Sequence, residues 1–212
     1  MGELEYIKET ASSTCELILE LINNTSLKMN YEIAANLFIG IVADSDRFLV
    51  PSTSSDTFLQ VGNLIKKYNL DLRQLYNNLY ERPLAEARFQ SYITLNMTVT
   101  ENGFGYIKLS DEVIKEYKVD ASSASNMVNN FNYIKEIKAW AFVSYDERQE
   151  MYKVNIRSRG PVINEVALKF NGGGHKFASG ARLKDPETVD LLFKALDDAC
   201  REYKKSLEKT DK

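Results

Sequence analysis

Glycine, histidine and arginine residues that could bind an anion are concentrated in residues 151–182. The segment contains Arg157–Ser158–Arg159 and, after a predicted helix, Gly172–Gly173–Gly174–His175. Glycines let backbone N–H groups approach a ligand closely because they have no Cβ atom. Arginine adds forked donors, and histidine adds a ring that titrates near neutral pH. The combination predicts a phosphate-binding site, and the alternative is a flexible glycine turn beside an exposed basic strand.

The distribution of charge also indicates a local site. The 212 residues carry a formal net charge of −3 with a pI near 5.4. Residues 151–182 nevertheless hold six basic side chains against one acidic side chain, Glu165. Because salt screens the attraction to a polyanion over short distances, a basic segment can act in an otherwise acidic protein. The overall charge disfavours a protein that binds nucleic acid with its whole surface.

Two carboxylates, Asp44 and Asp46, follow an apolar helix. Carboxylates at the end of a buried element are natural ligands for Mg²⁺ or Mn²⁺. Hydrolysis with two metals needs several carboxylates or imidazoles, and the chain has a single histidine, His175. A solvated turn with Arg47 as a surface partner is the alternative interpretation.

Composition excludes several classes of protein. The chain is 44% hydrophobic and 27% charged, which is usual for a folded globular protein. No apolar run approaches the roughly 20 residues that cross a bilayer, and no secretory signal is present, so a cytoplasmic protein without a membrane partner is expected. Cys15 and Cys200 have neither disulfide-framework nor zinc-site spacing, and one histidine excludes His-Glu-x-x-His peptidases.

Apolar periodicity predicts a helical first part and a mixed second part. Four helices are expected before Pro83, over residues 12–22, 31–42, 55–67 and 71–79. A helix over 84–91 is followed by strands within 92–109, with Asn102–Gly103 as a type I′ hairpin turn. Further along, the pattern predicts helices over 111–117, 122–131, 162–170 and 187–204, and strands over 134–143, 151–156 and 176–183.

Several motifs together resemble a known family. Gly172–Gly180, with the sequence GGGHKFASG, and Ile156–Gly160 resemble the signature of the DHH-associated C-terminal domain, DHHA1, of DHH-type phosphoesterases. Upstream, Ala11–Glu16 and Gly40–Phe48 resemble the segments that close the family's DHH domain. With Pro161–Asn164, these motifs are similar to the subgroup of bacterial oligoribonucleases and 3′-phosphoadenosine 5′-phosphate phosphatases.

The resemblance implies an α/β fold with two parts. Residues 1–83 would be the helical C-terminal remainder of a DHH domain, with a linker near 80–92, and residues 84–212 a DHHA1 domain with a mixed sheet. Asp44 would be a ligand in a centre of two Mn²⁺ ions. The chain contains no Asp-His-His triplet, so it is expected to begin after that motif and to be weakly active or inactive. Ser45–Asp46 replaces the family's more frequent Thr-Gly, and Asp46 receives no role.

The same resemblance implies the substrates and the residues that bind them. Arg157, Ser158, Arg159, the Gly172–Gly174 backbone and His175 would bind short RNA oligonucleotides and nucleoside 3′,5′-bisphosphate. Two alternatives stay open: a non-catalytic module that binds nucleotides or single-stranded nucleic acid, and a DHH enzyme for a cyclic dinucleotide or pyrophosphate. The sequence does not set the oligomeric state, and a homodimer is one option.

Overall fold

The chain folds into two compact units, Met1–Glu81 and Arg82–Lys212, in a computed structural model. The structure describes residues 5–120 and 127–210. Within these residues, no helix combines the length and apolar character needed to cross a membrane. Each unit has its own hydrophobic core.

The first unit is a helical layer. Its helices are α1 (Thr14–Asn23), α2 (Tyr31–Asp44), α3 (Ser55–Tyr68) and α4 (Leu72–Tyr80). Each begins after a residue whose side chain accepts a hydrogen bond from a first-turn backbone N–H, and these N-caps are Ser13, Asn30, Ser54 and Asp71. The buried stripe of α2 includes Leu37, Phe38 and Ile41 and lies in the core of this unit.

The second unit combines helices with a six-stranded sheet. Its helices are α5 (Leu84–Asn96), α6 (Asp111–Glu116), α7 (Asn164–Leu168) and α8 (Pro186–Thr210), and Val128–Phe131 is a 3₁₀ helix. Its strands are β1 (Thr98–Val99), β2 (Phe104–Leu109), β3 (Ala139–Asp146), β4 (Met151–Ser158), β5 (Gly173–His175) and β6 (Ala178–Leu183). The strand order is β1-β2-β3-β4-β6-β5, with β2 and β3 parallel and the other pairs antiparallel. The prediction of a helical part followed by an α+β part with a mixed sheet is confirmed.

The two faces of this sheet are covered differently. One face packs along its length against α7 and α8, through core residues such as Val154, Ile156 and Leu196. The opposite face is covered over β2 and β3, where Trp140 and Phe142 pack against α5 and the 3₁₀ helix. Beyond β3, this second face carries partly or fully exposed residues. We call it the open face, and its members are Lys153, Asn155, Arg157, Gly173, His175, Ala178, Gly180 and Arg182.

The predicted start of a strand is wrong at residues 92 and 134 of this unit. Residues 92–96 are helical because Phe89 and Ile93, one turn apart on α5, are both fully buried in the core that covers β2 and β3. The strand expected from residue 134 begins at Ala139. The predicted helix over 122–131 lies partly outside the described residues.

The hairpin at Asn102–Gly103 exists, but its turn type differs from the prediction. Positive φ occurs at Gly103, 88°, and not at Asn102. The N–H of Gly103 donates to Thr100 O, so Glu101 and Asn102 occupy the centre of the turn. The Asn102 side chain donates to Asp197 of α8, which fixes the hairpin against that helix.

Candidate phosphate-binding site

Alternation along β4 separates the residues of the site from those of the core. Val154 and Ile156 are buried, whereas Lys153, Asn155 and Arg157 are partly exposed on the open face. Because side chains two residues apart share one face of a strand, these three polar residues form a row. The row runs along the boundary between the covered and the uncovered parts of the sheet.

Arg157 and His175 lie on one rung of the sheet. Arg157 pairs with Ala178 of β6, and Ala178 pairs with His175 of β5. Two strand spacings separate the backbones of Arg157 and His175, which is about 10 Å. Ala178, whose side chain is a single methyl group, lies between them on this face. The rung therefore carries a cation and an imidazole on either side of a small residue.

The Arg157 side chain is held in place by neighbouring groups. Its Nε donates to Asn129 Oδ1 at 2.9 Å, and its Nη1 donates to Ile156 O at 2.9 Å. Burial lowers the pKa of this guanidinium from its usual value, although arginine remains charged near neutral pH. Because a guanidinium has five N–H donors, these two bonds leave donors for a ligand.

Arg159 and Ser158 differ in what they offer a ligand. Arg159 is exposed just beyond β4, and its Nη1 donates to Asn132 O at 3.0 Å. Ser158 is 6% exposed on the core side of the sheet. Its hydroxyl donates to Pro161 O at 2.6 Å and accepts from Gly160 N at 3.1 Å. The Ser158 hydroxyl therefore shapes the loop after β4, and the expected contact of Ser158 with substrate stays a prediction.

The glycine run forms a short strand at the edge of the sheet rather than a loop. Gly172 N donates to Ala167 O at 2.9 Å and so ends α7, and β5 starts at Gly173. A Cβ on Gly172 would lie 2.4 Å from Gly180 O, whereas a Cβ on Gly173 would have no atom within 4 Å. Gly174 has a φ of 135°, which disfavours other residues. Gly172 and Gly174 therefore allow the backbone to pass close to β6, whereas the space beside Gly173 is open.

A cavity of about 430 Å³ lies beside this strand. Its floor includes Gly173, Gly180 and Asn155, which are paired across β5, β6 and β4. Lys153 and Arg182 line it on the next rung. The rung of Gly173, Gly180 and Asn155 lies between two others. The Lys153–Arg182 pair is two residues away in one direction along the strands, and the Arg157–Ala178–His175 rung is two residues away in the other direction.

Asp44 lies in the other unit. It is the exposed last residue of α2. Asp46, Arg47 and Phe48 then follow with φ values of 45°, 63° and 70°, a left-handed turn that non-glycine residues seldom form. The turn is supported by the buried Ser45, whose hydroxyl accepts from Phe48 N at 2.9 Å. The family's frequent glycine at position 46 has an evident reason in this backbone conformation.

Comparison with known proteins agrees with the architecture of the second unit. Residues 104–202, from β2 to within α8, match the DHHA1 domain. The second unit therefore contains a region similar to the DHHA1 domain. The chain is 35% identical over 95% of its length to the bifunctional oligoribonuclease and PAP phosphatase NrnA of Bacillus subtilis strain 168, and 34% identical over 85% to a probable NrnA of Streptococcus mutans. It spans 64% and 57% of those two proteins.

A solved crystal structure has a fold similar to that of nearly the whole chain. An exopolyphosphatase-related protein from Bacteroides fragilis superposes with a TM-score of 0.83 at 26% identity. The match covers 97% of this chain and 61% of that protein. In the second unit, β4, β5 and β6 bring Arg157, Gly173 and His175 to one face.

The described residues do not by themselves form a centre of two metals. Within residues 5–120 and 127–210, no group of three or more His, Cys, Asp or Glu side chains could hold a metal ion. The only histidine, His175, lies in the second unit, whereas Asp44 belongs to the first unit.

The sequence indicates the row of polar residues on β4, but it does not indicate Asn129. The spacing of Lys153, Asn155 and Arg157 has the period of two expected of one strand face, so Lys153 and Asn155 could have been predicted as neighbours of the site. Asn129, which orients Arg157, lies 28 residues upstream in a 3₁₀ helix. No local pattern connects it to β4.

Proposed function

We propose that the open face binds the phosphate groups of short nucleotides, as the substrate-binding part of a phosphoesterase for short oligoribonucleotides and 3′-phosphoadenosine 5′-phosphate. The observation that carries this proposal is the rung that joins Arg157, Ala178 and His175 beside the Cβ-free floor of Gly173 and Gly180. A flat floor next to a fixed guanidinium suits an anion that must come close to the backbone.

Each residue of the rung has a proposed role. Arg157 donates to a phosphate oxygen with the N–H groups that Asn129 and Ile156 leave free. His175 contacts the phosphate from the opposite side, and Arg159 adds positive charge at the end of β4. Gly173 lets the ligand approach the edge strand, and Gly172 and Gly174 hold that strand in place.

Short oligoribonucleotides are supported as substrates by two observations. Relatives with identities of 35% and 34% are named for oligoribonuclease and PAP phosphatase activity. Phe177, in the turn between β5 and β6, is 44% exposed, and Lys176 Nζ lies over its ring, 5.2 Å from the centroid. Stacking on such a ring, together with phosphate contacts, binds single strands without reading their sequence.

Hydrolysis is a separate part of the proposal. By its similarity to the family, Asp44 is proposed as one ligand of a centre of two Mn²⁺ ions, whose chemistry would activate water and stabilise the leaving oxygen. Asp44 alone does not make such a centre. We therefore expect this 212-residue chain to bind nucleotides and to hydrolyse them poorly. A binding module that takes part in no reaction is the competing function.

Nucleotide binding tests the proposal directly. Isothermal titration with 3′-phosphoadenosine 5′-phosphate should give a measurable affinity for the chain, and the double variant Arg157→Ala, His175→Ala should lower it at least about tenfold, ~1.4 kcal/mol. Lys194→Gln on the exposed side of α8 is the matched charge control and should bind like the parent chain. Equal affinity of the double variant and the parent chain would contradict the proposed site.

Activity separates the two candidate functions. Release of mononucleotide from a labelled RNA dinucleotide is measured with Mn²⁺, first with this chain and then with a longer chain that carries an Asp-His-His segment. Turnover that appears with the longer chain and disappears in its Asp44→Ala variant would support the phosphoesterase. Binding without turnover in the longer chain would favour the module that only binds.

A further inference from the structure

A pair of like charges lies on the open face away from Arg157. Lys153 of β4 and Arg182 of β6 are direct partners across the two strands. Within residues 5–120 and 127–210, neither of them takes part in an ion pair. Like charges directly opposite one another destabilise a sheet, so folding alone gives no reason for this arrangement. A bound anion would compensate both charges.

The surroundings of the pair form a space that an anion could enter. Lys153 and Arg182 line the 430 Å³ cavity together with Asn155, Asn171, Gly173 and Gly180. The described residues that line the cavity include no acidic side chain. Because Gly173 and Gly180 have no Cβ, the floor between the cation pair and the next rung is flat. A chain of linked groups could lie along this floor without meeting a side chain from β5 or β6.

The spacing along β4 decides whether one phosphate could use both sets of cations. Lys153 and Arg157 are four residues apart on one strand, which is about 13 Å between their backbones. Charge-assisted hydrogen bonds to a phosphate oxygen are about 2.7–2.9 Å long. Because side chains stand roughly perpendicular to a sheet, the charged groups of the two sets are centred about as far apart as their backbones, and one phosphate does not bridge them. The two sets of cations call for two phosphates of one ligand.

We infer that Lys153 and Arg182 form a second phosphate subsite, which binds a phosphodiester further along the oligonucleotide held at Arg157 and His175. This inference rests on the proposed function and extends it, because it makes affinity depend on the length of the nucleotide chain. A mononucleotide occupies the Arg157 rung only. A longer ligand crosses the glycine floor and reaches the cation pair.

The test uses the whole chain and a series of 5′-phosphorylated ligands, pA, pApA and pApApA. In the variant Lys153→Gln, Arg182→Gln, the affinity for pA should stay within about twofold of the parent chain, and the affinity for pApApA should fall about tenfold. The salt dependence of pApApA binding, as the slope of log K against log salt, should fall by about 0.7 for one lost phosphate contact on a single strand. The control Lys194→Gln, Lys204→Gln removes the same charge from α8 and should change neither ligand.

Two results would overturn the subsite. If the Lys153, Arg182 variant binds all three ligands like the parent chain, the pair contacts no phosphate. If it weakens pA and pApApA equally, the pair acts through general charge and not as a subsite. The variant Arg157→Gln distinguishes failure of the subsite from failure of the proposed function. It should weaken binding of pA as well as of pApApA. Unchanged pA binding in this variant would contradict the Arg157 site itself.

Discussion

The Nε of Arg157 on β4 donates to the side-chain oxygen of Asn129 on the 3₁₀ helix, at 2.9 Å. This bond joins the covered half of the sheet face to the open half, because the 3₁₀ helix packs over β3 while Arg157 stands at the edge of the uncovered strands. It fixes the direction of a guanidinium that could otherwise adopt many rotamers. Asn129 is therefore a positioning residue in the proposed site.

Replacing Asn129 should weaken nucleotide binding without unfolding the domain. Asn129 is exposed, so Asn129→Ala is expected to leave the urea midpoint unchanged, while the dissociation constant for pA rises about threefold to tenfold, ~1 kcal/mol. Asn130→Ala, which removes a hydrogen bond to Gln90, is the matched control. If the Asn130 variant weakens binding as much as the Asn129 variant, orientation of Arg157 is not the cause.

Neighbouring glycines should respond to the same substitution in opposite ways. Gly173→Ala places a methyl group in open space, so we expect normal stability and a loss of pA affinity of about tenfold, because the ligand can no longer approach β5. Gly172→Ala places a Cβ 2.4 Å from Gly180 O and should lower the free energy of unfolding by about 1–3 kcal/mol. Urea unfolding and titration calorimetry measure the two effects. Full affinity in a stable Gly173→Ala variant would show that no ligand approaches this strand.

The buried carboxylate Glu16 makes the first unit sensitive to acid. Glu16 is 4% exposed and accepts from Ser12 N at 2.8 Å, Ser12 Oγ at 2.7 Å and Thr57 Oγ1 at 2.6 Å. Burial by itself would raise the pKa of Glu16, but the hydrogen bonds from Thr57 and Ser12 together hold this pKa below its usual value. A carboxyl with a lowered folded-state pKa stabilises the fold above its unfolded pKa, about 4.3, and loses this effect as the pH falls through the folded value.

Glu16→Gln should therefore destabilise α1 and α3 at pH 7 by about 1–3 kcal/mol. The difference from the parent chain should shrink at pH 3, because protonation of Glu16 in the unfolded parent chain then favours unfolding. Backbone hydrogen exchange in α1 and α3 measures this unit separately from the sheet. A difference that is the same at pH 7 and pH 3 would mean that the charge of Glu16 contributes nothing.

The packing of α1 against α2 depends on a glycine. A Cβ on Gly40 would lie 2.2 Å from Cys15 Sγ, so Gly40→Ala is expected to lower the free energy of unfolding of the first unit by about 1–3 kcal/mol. Removing the sulfur should restore it, and the Gly40→Ala, Cys15→Ala double variant should be more stable than Gly40→Ala alone. Hydrogen exchange in α2 measures both variants. A double variant with no recovery would place the strain elsewhere.

The sequence predicts the architecture better than the boundaries. The four helices of the first unit follow from apolar periodicity and from caps such as Ser54, which act through neighbouring residues. Residues 92–96 were predicted as strand because Tyr92 and Ile93 favour strands locally. They are helical because Ile93 completes a buried stripe with Phe89, and this tertiary contact outweighs the local preference.

The chemistry of the candidate site is visible in the sequence, but its geometry is not. The basic residues and the glycine run identify the segment, and β4 places Arg157 on the open face as a period of two requires. That Ser158 faces the core follows only from where β4 begins and pairs. The pairing of Lys153 with Arg182 depends on the register of two strands that α7 and β5 separate along the chain, and no local signal sets that register.

Amide chemical shifts give the most direct test of the phosphate site. An assigned ¹H–¹⁵N spectrum of the whole chain would be titrated with 3′-phosphoadenosine 5′-phosphate. The largest changes are predicted at Gly173, Gly174 and His175 on β5 and at Arg157 on β4, with α8 unchanged. Saturable changes confined to α1–α4, or no change on β4 and β5 at a saturating ligand concentration, would contradict the assignment of the open face as the phosphate-binding surface.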